Sequence, residues 1–374
     1  MEFDLLIKNG TVVDGSGRAR YHGDVGVKNG RIQEIGKIRA PAQRTIDADG
    51  LIVAPGFIDG HTHMDAQVAW DPLGSCSCWH GVTTVFMGNC GFALAPCGPE
   101  DHEWYARCLE AVEDIPTEAM MSGIDWNWET FPEYLANVER LPKGINYGAY
   151  IGHSALRMYV MGKRALDQAA TEEDLAAMAF HVQQALKAGA IGFSTSRSPT
   201  HITPDGTPVP SRIAEWRELE HLVSAMAELN AGVFQIGPDI ASGAHARIFY
   251  EELRKVCLNT GRRVMFGLAQ TSQGEDPVPY QTQLEFIDQV VADGGNIWGQ
   301  STTRSINAIF SAKSYLPFDA LPSWKEIRDL PLEEQKAHFA NPEVRKRLIE
   351  DETGMKPRDK VVQGGGAATT DPRK

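Results

Sequence analysis

No stretch of this chain approaches the ~20 consecutive apolar residues of a membrane-spanning helix, so no membrane partner is expected. The N-terminus, Met1-Glu2-Phe3-Asp4, lacks a basic lead, an apolar core and a small-residue cleavage site, and the expected location is the cytoplasm. Cysteine is scarce. Six in 374 residues are too few for a disulfide scaffold, and Cys76-Ser77-Cys78 is spaced too tightly for the usual zinc-finger pair. The thiols read as reduced, with one candidate metal ligand among them. Positive charge is also short: 36 Lys and Arg face 49 Asp and Glu, and the net charge of -13 works against binding a phosphate backbone. Nucleic acid is not an expected partner.

What is present is the composition of a folded globular chain, 42% apolar and 23% charged, with length for roughly two domains at about 150 residues each. Residues 4–54 read as short strands between turns. Asn9-Gly10 and Asn29-Gly30 lie between apolar runs and predict hairpins, because both turn positions tolerate positive φ. Leu51 to Ala54 then runs through Pro55-Gly56 into Phe57-Ile58, which reads as the first buried strand of a second domain. Beyond it, apolar strands alternate with amphipathic helices at a period of about 40 residues, the mark of parallel βα units. The clearest strands are 83–87, 145–151, 190–194, 232–236, 264–268 and 296–299. Helices are expected around 213–229, 244–259, 280–292 and 331–352. Another follows a capping box, Thr171 with Asp174, and carries the stripe Leu175, Met178, Val182, Ala185 and Leu186 up to Gly189.

The expected fold class is therefore α/β: a (β/α)8 TIM-type barrel, incomplete at its C-terminal end with about seven strands, behind a small N-terminal β-sandwich domain. The expected boundaries are 1–54 for the β domain, 55–315 for the barrel and 316–374 for a helical or irregular tail. Such a barrel places its chemistry at the C-terminal ends of its strands. One such end is Gly56-Phe57-Ile58-Asp59-Gly60-His61-Thr62-His63. Residues i and i+2 of an extended strand share a face, so both imidazoles would point into the mouth and grip one divalent ion. An isolated His-x-His is often chance; its position after an apolar strand at a domain junction favours the ligand reading.

The run Pro55 to His63, with Leu5-Leu6-Ile7-Lys8-Asn9-Gly10-Thr11-Val12-Val13-Asp14-Gly15 before it, resembles the opening of an amidohydrolase-superfamily enzyme. Gly81-Val82-Thr83-Thr84-Val85-Phe86-Met87-Gly88-Asn89-Cys90-Gly91 is similar to the second-strand motif of the N-acyl-D-amino-acid deacylase (D-aminoacylase) branch. Gly152-His153-Ser154-Ala155-Leu156-Arg157 and Gly189 to Thr195 are similar to later strand ends. The resemblance covers about residues 4–300. It implies a metal-dependent hydrolase with a small-molecule substrate, an N-acyl amino acid whose amide bond it cleaves to a carboxylic acid and a free amino acid. It also implies that Cys90 is a metal ligand beside His61 and His63, around one Zn2+ or two. A thiolate at a strand exit suits a borderline-soft ion such as zinc.

His153 ends a strand with Arg157 one turn on; it would orient a substrate carboxylate or support a ligand, or else be a histidine satisfied by its surroundings. Arg197 would pair with an anionic substrate, or be exposed to solvent. Departures from the family pattern are equally specific. Gly237 and Leu268 stand where the family has histidine ligands after strands five and six, and neither side chain binds metal. None of the late aspartates, Asp351, Asp359 and Asp371, has the family's Ser-Asp-Gly or Ser-Asp-Ala setting, so the expected general base is not found. The chain reads as C-terminally truncated. Two further readings stay open: a non-catalytic barrel remnant, and a cyclic amidase of the same superfamily.

Overall fold

The computed structural model describes residues 2–113, 115–199, 201–203, 206–239, 243–268, 278–303, 316, 318 and 321–354. Two compact units are present: Met1–Asp59 with Cys76–Thr84, and Gly60–Ser75 with Val85–Lys374. In the first, β1 (Phe3–Val12), β2 (Tyr21–Lys28), β3 (Arg31–Gly36), β4 (Ala42–Asp47) and β5 (Ile52–Val53) form one sheet in the order β3-β2-β1-β4, with β5 also on β1. The hairpin pairs β1–β2 and β2–β3 are antiparallel, whereas β4 and β5 lie parallel to β1. Phe3, Leu6 and Ile38 make a small buried cluster beneath it.

One of the two expected hairpins forms. Asn29 and Gly30 adopt φ of 52° and 69° and close the β2–β3 turn, as the Asn-Gly rule requires. Asn9-Gly10 does not turn. It sits inside β1 as a register shift between Ile7 and Gly10, with Asn9 at φ 62°. Carboxylates from two other strands hold it there: the Asn9 backbone N–H donates to Asp24 at 2.9 Å and its carboxamide to Asp47 at 2.9 Å. Gly10 has no room for a side chain, since a Cβ there would stand 2.4 Å from Val53 Cγ2.

The chain continues through β6 (Phe57–Asp59), α1 (Ser75–Cys78), β7 (Val82–Met87), α2 (His102–Glu113), α3 (Thr117–Gly123), α4 (Phe131–Arg140) and β8 (Asn146–Gly152). Next come α5 (His153–Met161), α6 (Glu172–Ala188), β9 (Gly192–Ser196), α7 (Pro210–Ile213), α8 (Trp216–Glu228), β10 (Val233–Gly237) and α9 (Gly243–Thr260). They are followed by β11 (Arg263–Gly267), α10 (Tyr280–Ala292), β12 (Ile297–Gln300), α11 (Pro322–Arg328), α12 (Leu332–Ala340) and α13 (Pro342–Gly354). Seven strands join in the order β12-β11-β10-β9-β8-β7-β6, the number read from the sequence. From β8 to β12 every neighbouring pair is parallel. Each of those connections carries a helix, so the sheet is of the α/β kind.

Helix α6 shows how local sequence sets an element. Thr171 Oγ1 accepts from the Asp174 N–H and the Asp174 carboxylate accepts from the Thr171 N–H, while Gly189 at φ 111° stops the last turn. Its stripe of Leu175, Met178, Val182 and Ala185 is buried. β9 is buried at all five positions, as a strand covered on both faces should be. The reading of Phe57-Ile58 as a buried strand needs correction: both are exposed, at 62% and 65%, because β6 is the edge strand of the sheet order. The helix expected over 331–352 is two helices, α12 and α13, broken at Asn341, whose helical conformation the following Pro342 disfavours. Among the described residues no helix is long and apolar enough to cross a membrane. Residues 304–315 and 355–374, with Asp359 and Asp371, lie outside the described residues.

Candidate metal centre

His61 and His63 lie on the segment that follows β6, and Cys90 on the tight turn Asn89–Gly91 that follows β7. That turn is held in an unusual backbone conformation. Cys90 itself has φ 57°, between Gly88 at 76° and Gly91 at 79°. Gly88 is needed for a second reason: a Cβ there would stand 2.3 Å from the Tyr150 carbonyl oxygen, so only glycine lets the turn approach β8 this closely. Asn89, fully buried, ties the two ligand-bearing segments together. Its Nδ2 donates to Thr62 O at 3.1 Å and Phe86 O at 2.9 Å, and Thr62 N–H donates to the same Phe86 carbonyl at 2.9 Å. Asp65 adds a further tie, accepting the Gly88 N–H at 3.0 Å.

The result is that one ligand atom from each of His61, His63 and Cys90 lies within 4.8 Å of the others, and this is the one such group among the described residues. His61 Nε2 stands 3.3 Å from Cys90 Sγ. A tetrahedral zinc with N at about 2.0 Å and S at about 2.3 Å would separate those donors by about 3.5 Å, so the pair is already set at a coordination edge. Two imidazoles and a thiol also form a donor set that suits Zn2+, and three protein ligands leave a fourth position open. The residues therefore fit the ion that the motif implies.

Electrostatics favour neutral imidazole. Burial, with His61 and His201 nearby, pushes the His63 pKa down to about 3, so the ring keeps a lone pair at neutral pH. Burial likewise raises the Asp65 carboxyl to about 7 despite its bond to Gly88, and its Oδ1 has no hydrogen-bond partner among the described residues. His201 was not foreseen. It packs edge-on to Phe92 at 5.1 Å, and Phe92 in turn packs on His63 at 6.3 Å. Burial and then Arg212 lower its pKa to about 4. Arg212 donates to the Pro199 and His201 carbonyls at 3.1 Å each, which pins the segment carrying His201. Gln235 and Gln300 were not foreseen either: Gln235 Oε1 accepts the Cys90 N–H at 2.7 Å, and Gln300 Oε1 lies 2.8 Å from His61 Nδ1.

The three residues expected to meet substrate all have partners within the protein. His153 and Arg157 are fully buried in one network, His153 Nε2 to Glu218 Oε1 at 2.7 Å and His153 Nδ1 to Thr195 Oγ1 at 2.8 Å. Arg157 Nη1 pairs with Glu218 Oε2, and its Nη2 donates to Gln168 O at 2.8 Å. Arg197 is half-buried, lies over the Trp216 ring at 5.2 Å and gives Nη1 to the Arg212 and Ala214 carbonyls. Gly237 and Leu268, at the exits of β10 and β11, bring no donor. Asp351 accepts the Ser323 N–H at 2.9 Å and so joins α11 to α13. A cleft of about 290 Å³ between α6 and α8 contains none of these residues.

Residues 44–349 match the model of the amidohydrolase family, and the chain belongs to that family. It is 39% identical over 194 residues to a D-aminoacylase of Alcaligenes xylosoxydans xylosoxydans, covering 52% of this chain and 37% of that one. An uncharacterised Mycobacterium tuberculosis protein is 34% identical over 261 residues, 66% of this chain and 42% of that one. The fold resembles the zinc- and phosphonate-bound N-acyl-D-glutamate deacylase of Bordetella bronchiseptica, with TM-score 0.67 and 29% identity over 80% of this chain and 58% of that one. The chain thus spans well under half the length of these curated relatives.

Proposed function

We propose that this chain carries the metal-holding part of an amide hydrolase that cleaves N-acyl amino acids, in the manner of the D-amino-acid deacylases it resembles. The carrying observation is the convergence of His61, His63 and Cys90 within 4.8 Å. One Zn2+ is the proposed occupant, supported by the donor set and by the zinc in the Bordetella structure. When bound, such an ion supplies Lewis acidity toward the amide carbonyl and a nucleophile from water near neutral pH. The chain's own residues do the positioning: Asn89 and Asp65 hold the two ligand segments in register, and His63 stays neutral and ready to coordinate. In this reading the seven-stranded sheet is the greater part of a (β/α)8 barrel and the five-stranded sheet one half of a β-sandwich. His153 and Arg157 hold β9 and α8 in place, and Arg197, with five N–H donors, is the proposed partner of a substrate carboxylate. The proposed location is the cytoplasm.

The test is elemental analysis of the purified chain beside His61→Ala and Cys90→Ala. Close to one zinc per chain, lost in both variants, is the expected result; folded parent protein without metal would sink the reading. A second reading, a non-catalytic metal-binding barrel, is favoured by the donor-free Gly237 and Leu268 at the β10 and β11 exits. Zinc-loaded full-length protein that releases no free amino acid from N-acyl substrates would select it.

A further inference from the structure

We propose that Gln300 and Gln235 are positioning residues of the metal centre, Gln300 by fixing the tautomer of His61 and Gln235 by directing a donor at the sulfur of Cys90. This rests on the metal-centre reading above and says how that centre is tuned. The two carboxamides lie on β12 and β10, far in sequence from the ligands they meet, with separations of 239 and 145 residues. Each is anchored through its strand. Gln300 pairs with Gly267 of β11 and its carbonyl accepts the Leu268 N–H at 2.7 Å; Gln235 pairs with Ser194 and Met265 on its two sides and is fully buried.

The orientation of Gln235 follows from one contact. Only a carboxamide oxygen accepts a hydrogen bond, so the 2.7 Å bond from the Cys90 N–H sets Oε1 toward the backbone and turns Nε2 toward Cys90 Sγ, 4.0 Å away. That N–H would meet a metal-bound thiolate and steady its charge without adding another. At the other end, Gln300 Oε1 at 2.8 Å can only accept, so His61 Nδ1 carries the proton and Nε2 keeps its lone pair, 3.3 Å from the sulfur. A histidine ligand held this way by its remote nitrogen is pre-oriented for the ion. The His61–Cys90 pair is therefore clamped between two groups that do not titrate, and its geometry is independent of pH at the supporting positions.

Cobalt affinity, measured by competition with a chromophoric chelator, tests this on the full chain, with His61→Ala as control. Gln300→Leu is expected to weaken affinity by ~10- to 100-fold, and Gln300→Glu, which still accepts from Nδ1, to restore it. Gln235→Glu keeps the acceptor for the Cys90 N–H and removes the donor to the sulfur. It is expected to shift the sulfur-to-cobalt charge-transfer band and weaken affinity while the chain still folds. A readout without metal is the imidazole nitrogen spectrum of His61, expected to show protonated Nδ1 in the parent and a tautomer mixture in Gln300→Leu. Equal cobalt affinity in the parent and Gln300→Leu, or an unshifted band in Gln235→Glu, overturns the inference while leaving the metal centre standing. Parent protein that binds no more cobalt than His61→Ala overturns both.

Discussion

Replacing Glu218 with Leu should be among the most destabilising single changes in the chain. Glu218 is 4% exposed and bonds both His153 and Arg157, which are fully buried. Burial alone would raise the Glu218 carboxyl, but His153 and Arg157 outweigh it and hold the pKa below the usual range, so the carboxylate is charged in the fold. Burial lowers His153 against the pull of Glu218, leaving a neutral ring that donates from Nε2 and accepts Thr195 Oγ1 at Nδ1. The substitution thus strands a guanidinium in the interior, a change that typically costs about 3–5 kcal/mol. Against a total of about 5–15 kcal/mol for a domain, the protein would still fold but with a much lower urea midpoint. Adding Arg157→Leu should recover most of the loss, because the stranded charge is then gone. Equilibrium urea unfolding of the parent, both single variants and the double variant measures the cycle. A loss below about 1 kcal/mol in Glu218→Leu would refute the reasoning. It would mean that Arg157 reaches water in the native state and is free to meet a substrate carboxylate after all.

Asn89→Ala removes two bonds that tie the His-x-His segment to the cysteine turn, and should cost about 1–3 kcal/mol of stability together with cobalt affinity; full affinity in a destabilised variant would make Asn89 structural only. Asp174 should dominate part of the acid response. Its bond to Arg164, with Thr171 assisting against burial, lowers the pKa to about 2. Its contribution is therefore present above the unfolded value near 3.9 and is lost as pH falls toward 2. Allowing for the exposure of Arg164, that is about 1–2 kcal/mol. Asp174→Asn should flatten the unfolding curve between about pH 4 and 2, and an unchanged pH slope would contradict the assignment.

What was legible in the sequence was whatever local chemistry decides. Helix α6 is announced by Thr171, Asp174 and Gly189 within its own span, and Asn29-Gly30 turns because its own two residues supply the positive φ values the turn needs. Asn9-Gly10 misleads: Asp24 and Asp47 from other strands hold it in a bulge. His61, His63 and Cys90 were visible because the motifs that carry them are contiguous. His201 was not, since no contiguous motif carries it and it announces itself only by packing on Phe92. His153 and Arg157 looked like site residues from their strand-end position, and only the side chain of Glu218, 65 and 61 residues away, shows where their donors go.

The placement of the proposed ligands explains how a centre of this kind tolerates Gly237 and Leu268, whose side chains bring no donor, after β10 and β11. All three proposed ligands, with Asn89 and Asp65 that hold them, fall between residues 61 and 90, on the segments that follow β6 and β7, the first two strands of that sheet in chain order. Among the described residues the later strands bring support to it: Gln235 from β10 and Gln300 from β12 meet Cys90 and His61 through neutral carboxamides. One thiolate and two neutral imidazoles would leave a bound divalent ion with net positive charge, which would favour an electron-rich carbonyl or an anionic group beside it. Additional anionic ligands would reduce that charge. Gly237 and Leu268 thus suit the proposed centre, in which three ligands and two amides would set the reactivity of one ion.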